Sequence, residues 1–181
     1  MVPERGMLVM STSIPVLLLR AVGNACGGFG FHPRLIGQVG NRGLATRRNR
    51  MKGFVDDIEE LTEENTDFRR VLYTGSKLQL VLMSIPPGGE IGEEVHRDRD
   101  QFFRVEEGKG EIWIDGNSSK IESDSAMIVP AGARHNVKNT GDKPLQLYTI
   151  YGPPEHRDGT VHKTKGDADS SEEHFDGKTT E

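Results

Sequence analysis

The sequence predicts an all-β protein, a double-sheet jelly roll entered through one short helix. Three observations lead there. Short extended runs follow one another between residues 70 and 151, each bounded by glycine, proline or Asp-Gly turn signals. They number roughly eight or more with no internal repeat, which suits two packed antiparallel sheets. Helical periodicity is scarce, and the chain holds 22 glycines with only 34% hydrophobic residues, a turn-rich composition around one core.

The 181 residues suffice for one domain with appendages. The net charge of −5 hides an asymmetry. Residues 1–50 hold seven Arg and one Glu, a net +6, and the remaining 16 basic and 27 acidic residues give −11. An acidic body argues against nucleic acid or an anionic membrane as the partner. No apolar run approaches the roughly 20 residues needed to span a bilayer. Cys26 is the single cysteine, so no disulfide framework exists. The basic leader, residues 1–50, reads as a mitochondrial-type transit peptide, with a presequence-like cleavage signal at Arg42-Gly43-Leu44-Ala45-Thr46. Its rivals are a secretory signal using Met7 to Leu19 and an extension ahead of a true start at Met51. The mature protein is expected in the mitochondrion in the first case and otherwise in the cytoplasm.

The body, residues 51–155, begins with a helix over Asp56–Asn65, with acids at its N-terminal end and Phe54, Ile58 and Leu61 as apolar anchors. Strands are predicted at Arg70–Thr74 and Lys77–Ile85, the second apolar on both faces and so central in a sheet. Pro86-Pro87-Gly88-Gly89 forces a turn into Ile91–His96. The charged turn Arg97–Asp100 leads to Gln101–Glu106. Asp115-Gly116-Asn117 marks a short hairpin between Gly110–Ile114 and Lys120-Ile121. Ala126–Val129 is a strand that Pro130 ends, since proline donates no ladder hydrogen bond. Gly132 then supplies a left-handed turn, His135–Thr140 follows, and Leu145–Tyr151 is the last strand. Residues 156–181 are polar and predicted from composition to be largely disordered.

Chemistry concentrates at four positions. Glu94 and His96 lie two residues apart on one strand and face the same side. Gln101 shares a face with Phe103 and Val105 on the next strand. His135 sits just past the Gly132 turn on rigid strand. Two imidazoles and one carboxylate with open positions form the facial set of non-haem Fe(II), also usable by Mn or Zn, with Gln101 as a weak neutral fourth ligand. Asp100 would replace Gln101 if the register slipped by one residue, and Asp98 reads as a solvated turn residue. Tyr148, Tyr151, His156 and His162 are candidates for proton donors at the barrel mouth. Phe102, Phe103 and Trp113 read as core or interface, and Phe103 and Tyr148 are the expected substrate contacts.

On these residues the chain resembles the cupins. The family's second motif, G-x5-P-x-G-x2-H-x3-N, is met by Pro130, Gly132, His135 and Asn139, with Asp124 in place of the first glycine. Asp tolerates left-handed backbone better than most residues. The first motif is met by Gly88, His96 and Gly108, with Glu94 where the family has His and Gln101 where it has Glu. The negative charge thus moves between ligand positions, and the summed ligand charge is unchanged. The resemblance covers about residues 52–155 and is greatest to small single-domain bacterial cupins grouped with mannose-6-phosphate isomerase-like proteins. It implies a double-stranded β-helix barrel, a divalent metal (Mn, Fe or Zn) and a homodimer. It further implies isomerase-like chemistry on a small polar ligand such as a sugar or sugar acid. An Fe(II)-dependent oxygenase and a non-catalytic small-ligand-binding cupin are the alternatives.

Overall fold

A computed structural model describes residues 51–181. The transit-peptide and secretory readings and Cys26 all fall on residues 1–50 and lie outside the described residues. Helix α1 (Ile58–Glu63) is followed by β1 (Arg69–Thr74), β2 (Gln79–Ile85), β3 (Glu94–Val95), β4 (Asp100–Glu107) and β5 (Lys109–Ile114). Then come β6 (Asn117–Glu122), β7 (Ala126–Val129), β8 (Arg134–Asn139), β9 (Leu145–Gly152), β10 (Val161–His162) and α2 (Lys165–Asp169). One sheet has the order β10-β1-β2-β9-β4-β7 and the other β3-β8-β5-β6, and their pairings are antiparallel. This is the predicted all-β jelly-roll barrel.

The two sheets close on an apolar core that includes Val81, Met83 and Ile85 of β2, Phe103 and Val105 of β4, Val137 of β8, and Leu145 and Leu147 of β9, all with no exposed surface. Each such side chain contributes roughly 1.5–3 kcal/mol by burial, so the barrel wall is rigid where it carries the site. β2 lies inside its sheet, as its two apolar faces require, and Leu82 is buried on the face opposite Val81 and Met83.

The turns follow their residues. Asp115 (φ 43°) and Gly116 (φ 88°) give two consecutive left-handed residues, the requirement of a type I′ hairpin between β5 and β6. Asp124 adopts φ 71°, the conformation that a glycine would otherwise supply. Asn139, the last residue of the second motif, is structural. Its amide donates to Ile85 O and Lys143 O (both 2.8 Å) and its Oδ1 accepts from the Gly141 N–H (2.9 Å). Gly108, which ends the first motif, has φ 100°, and a Cβ there would stand 2.6 Å from Pro144 O.

Two expectations need correction. Helix α1 is shorter than Asp56–Asn65: Asp57 caps it by accepting from the Glu60 N–H at 3.2 Å, so the helix starts at Ile58. The tail is ordered against the barrel instead of largely disordered. β10 pairs with β1, and Thr164 and Asp167 form a capping box at α2. Thr180 exchanges backbone and side-chain bonds with Thr74. Its polar composition hides specific partners that the barrel supplies.

Candidate metal centre

Strand pairing delivers the first two groups. Glu94 of β3 and His135 of β8 are direct cross-strand partners, so their side chains share the inward face. His96 lies just beyond β3, and its carbonyl accepts the Gly132 N–H at 2.7 Å, so the Pro130–Gly132 turn fixes both histidines at once. Gln101 comes from the opposite sheet, where it pairs with Tyr151 of β9 and Val129 of β7. Gln101 faces inward at 1% exposure, while Asp100 points out and accepts the Ala131 N–H at 2.9 Å. The register therefore does not slip, and Asp100 does not substitute. Asp98 is exposed beside Arg99.

Glu94, His96 and His135 offer ligand atoms that all lie within 4.8 Å of one another. His96 Nε2 is 3.3 Å from Glu94 Oε2, and His135 Nε2 is 4.0 Å from the same oxygen. Gln101 Oε1 stands 3.0 Å from His135 Nε2. Ligands around one ion with bonds of about 2.1 Å lie roughly 3–4.3 Å apart, so these spacings fit a shared ion. The outer nitrogens are already held: His135 Nδ1 meets the Ala133 carbonyl at 3.2 Å and His96 Nδ1 meets Glu155 Oε2 at 3.4 Å. With Nδ1 held outside, each ring turns Nε2 to the centre, the arrangement that metal-binding histidines use. Glu94 Oε2 and His96 Nε2 are both buried and make no well-aligned hydrogen bond, facing each other at 3.3 Å as an ion pair. An ion bound between them would satisfy both atoms better than this poorly aligned contact does.

The electrostatics are uneven. Burial keeps His135 below its ordinary value, which favours its neutral ring. Burial opposes the charged form of His96 too, but Glu155 and Glu94 prevail and raise it to about 9. Burial would raise Glu94, yet His96 and Arg69 hold its carboxyl below the usual range. Arg69 places Nη2 3.4 Å from Glu94 Oε1, leaving Oε2 for the centre. Gln101 Nε2 donates to Thr149 Oγ1 at 3.1 Å, which turns Oε1 toward His135. Tyr151 is buried and packs edge-on against His96 with ring centres 5.5 Å apart; burial pushes its phenol far up, so it stays protonated.

Other expected site residues lie elsewhere. Tyr148 sits on the face of β9 opposite Thr149 and Tyr151 and packs against Phe102 at 6.2 Å between ring centres, outside the barrel. It is not a substrate contact. Phe103 is fully buried core with its ring 6.2 Å from that of His135, a wall behind that imidazole with no surface open to a substrate. Phe102 and Trp113 are only partly buried, since each strand's alternation turns them away from the core. His156 and His162, within the tail itself, are both buried, with His156 Nδ1 2.8 Å from Glu173 Oε1. Arg69 and Glu155 were absent from the expected site. Arg69 precedes Val71 at period two, so a charged residue at an inward position was the available signal. The groove of about 370 Å³ lined by Asn65, Phe68, Pro86 and Lys163 is built from residues other than Glu94, His96, Gln101 and His135.

Comparison with known proteins agrees with this architecture. The cupin domain model matches residues 81–151. The chain is 43% identical to the uncharacterised protein YrkC of Bacillus subtilis over 139 residues, covering 74% of this chain and 75% of that one. It is 35% identical to an uncharacterised protein of Acanthamoeba polyphaga mimivirus over 118 residues, 62% of this chain and 73% of that one. The crystal structure of BH2720 from Bacillus halodurans superposes with a TM-score of 0.65 at 48% identity, covering 65% of this chain and 94% of that one. With the barrel and both motifs in place, the chain belongs to the cupin family.

Proposed function

We propose that this protein is a metal-dependent cupin enzyme acting on a small polar substrate, a sugar or sugar acid, with isomerase-like chemistry. The observation that supports this most is the convergence of Glu94 Oε2, His96 Nε2 and His135 Nε2 within 4.8 Å of one another, with Gln101 Oε1 3.0 Å from His135 Nε2. A bound divalent ion (Mn, Fe or Zn) would supply a Lewis acid that polarises a carbonyl or hydroxyl oxygen. Glu94, His96, His135 and Gln101 would hold it, and metal binding must displace the proton that Glu94 and Glu155 keep on His96. Tyr151 holds a proton on its phenol beside His96. Arg69 balances the charge of Glu94 beside the centre.

A second reading, an Fe(II)-dependent oxygenase, is favoured by the two-histidine, one-carboxylate ligand set itself. Metal identification in the purified protein, followed by a screen of sugars and sugar acids for metal-dependent turnover, separates the two. Mn or Zn with aldose–ketose interconversion supports the first, and Fe with O₂ consumption supports the second. Stoichiometric small-ligand binding without turnover supports a non-catalytic binding protein instead. A homodimer is part of the proposal, on the support of Ile128, 69% exposed, beside part-exposed Phe102, Tyr148 and Ile150 on the outer sheet face; light scattering tests it. The arginine-rich leader supports delivery to the mitochondrion, and sequencing the N-terminus of the mature protein tests that.

A further inference from the structure

Glu155 lies beyond both motif stretches, in the segment after β9, yet its carboxylate reaches the outer nitrogen of a ligand. We propose that Glu155 is a positioning residue for the metal centre, and that docking of residues 153–175 on the barrel is coupled through it to metal binding at His96. This rests on the metal reading above and adds to it a part for the tail.

The contact is built from several sides. Glu155 Oε2 stands 3.4 Å from His96 Nδ1 and 2.6 Å from Arg99 Nη1. The same Arg99 nitrogen donates to Pro154 O at 2.6 Å, so one guanidinium grips both the side chain and its backbone. Gln79, fully buried in β2, clamps the peptide: its Oε1 accepts the Glu155 and His156 N–H groups at 3.2 and 2.9 Å, and its Nε2 donates to His156 O at 2.7 Å. From further along the tail, the Phe175 N–H donates to Glu155 O at 2.8 Å, and His174 Nδ1 lies 3.8 Å from Glu155 Oε1. A carboxylate held this firmly fixes the ring it contacts. A carboxylate on Nδ1 orients Nε2 and raises its basicity as a ligand, and losing such a partner typically costs 10–100-fold in metal affinity. Linkage then works in both directions: whatever docking adds to metal affinity, metal adds to docking. Arg99 and Gln79 act through Glu155 and need no contact with the ion.

The test uses the full chain, Co(II) as the probe, and hydrogen exchange of the amides in residues 153–175. Wild type is expected to bind Co(II) with a visible spectrum, and binding is expected to slow exchange in the tail. Glu155→Gln keeps the volume and the Gln79 clamp but loses the charge. It is expected to bind Co(II) about 10–100-fold more weakly with an altered spectrum, and to transmit little protection to the tail. Glu155→Asp, which restores the charge, is expected to recover part of the affinity. If Glu155→Gln fails to fold, Glu155→Asp and the exchange response of wild type decide alone. Unchanged Co(II) affinity and spectrum in Glu155→Gln, or tail exchange in wild type that ignores the metal, would overturn this inference alone. Wild type that binds no Co(II) would overturn it together with the metal reading.

Discussion

Replacing Arg69 by Met is the perturbation that most exposes the energetics of the centre. Arg69 is 8% exposed and its ion-pair partner is Glu94, whose side chain keeps 24% exposure. Removing one member of a fully buried pair costs roughly 3–5 kcal/mol, mostly because the other charge is left uncompensated. Here the 3.4 Å separation and the partial access of Glu94 reduce that, and a loss of about 2 kcal/mol is expected for the metal-free protein. Two further results follow from the same reasoning. Glu94→Gln in the Arg69→Met background should recover part of the loss, since no buried charge then remains unpaired. A divalent ion should stabilise Arg69→Met more than wild type, because the ion compensates Glu94 when Arg69 no longer does. Urea unfolding of the four proteins of this cycle, with and without Mn(II), measures all three effects. An Arg69→Met protein as stable as wild type without metal, with additive single and double variants, would refute the coupling of Arg69 to Glu94.

Other outcomes are expected from the same structure. Asn139→Ala removes three hydrogen bonds around the turn after β8 and should lower stability by about 3 kcal/mol in urea titration without changing metal stoichiometry. Gln101→Glu restores a carboxylate at the weakest ligand position and should tighten divalent-metal binding by calorimetry; unchanged affinity would mean that Gln101 takes no part. Glu173 accepts from His156 and from the Arg157 N–H; burial opposes its charge, but these bonds hold its carboxyl down at about 2. A depressed carboxyl contributes stability above its unfolded value near 4.5 and loses it as pH falls toward 2. The stability gap between wild type and Glu173→Gln, on the order of 2 kcal/mol near neutrality, should therefore close as pH falls from about 5 to 2. A gap that stays constant between pH 6 and 3 would contradict this.

Much of the barrel was legible because its signals are local. Asp115-Gly116 demands a primed hairpin, Asp124 takes the left-handed backbone that its motif position requires, and Pro130 marks the end of β7. The cluster of Glu94, His96, His135 and Gln101 was legible for a related reason: period two places Glu94 with His96 and puts Gln101 on the face of Phe103 and Val105. The rest depended on contacts distant in sequence. Arg69 meets Glu94 only because β1 and β3 close on one interior, and nothing local to either residue shows it. Tyr148 and Tyr151 are three apart, so one strand turns them to opposite faces; that parity was readable, but which face is inner depends on pairing with β4. The tail reads as disordered because its composition is polar. Gln79 and Thr74 of the barrel hold it from across the fold, and pairs within it such as His156 with Glu173 form only once it is docked.

The proposed function requires Glu94, His96, His135 and Gln101 to form one divalent-metal centre. Metal content after reconstitution with Mn, Fe or Zn, measured by elemental analysis on wild type and on folded His135→Ala, tests it most directly. One equivalent of metal in wild type, lost in His135→Ala, is the predicted result. No bound metal in wild type, or an undiminished equivalent in His135→Ala, would contradict the account.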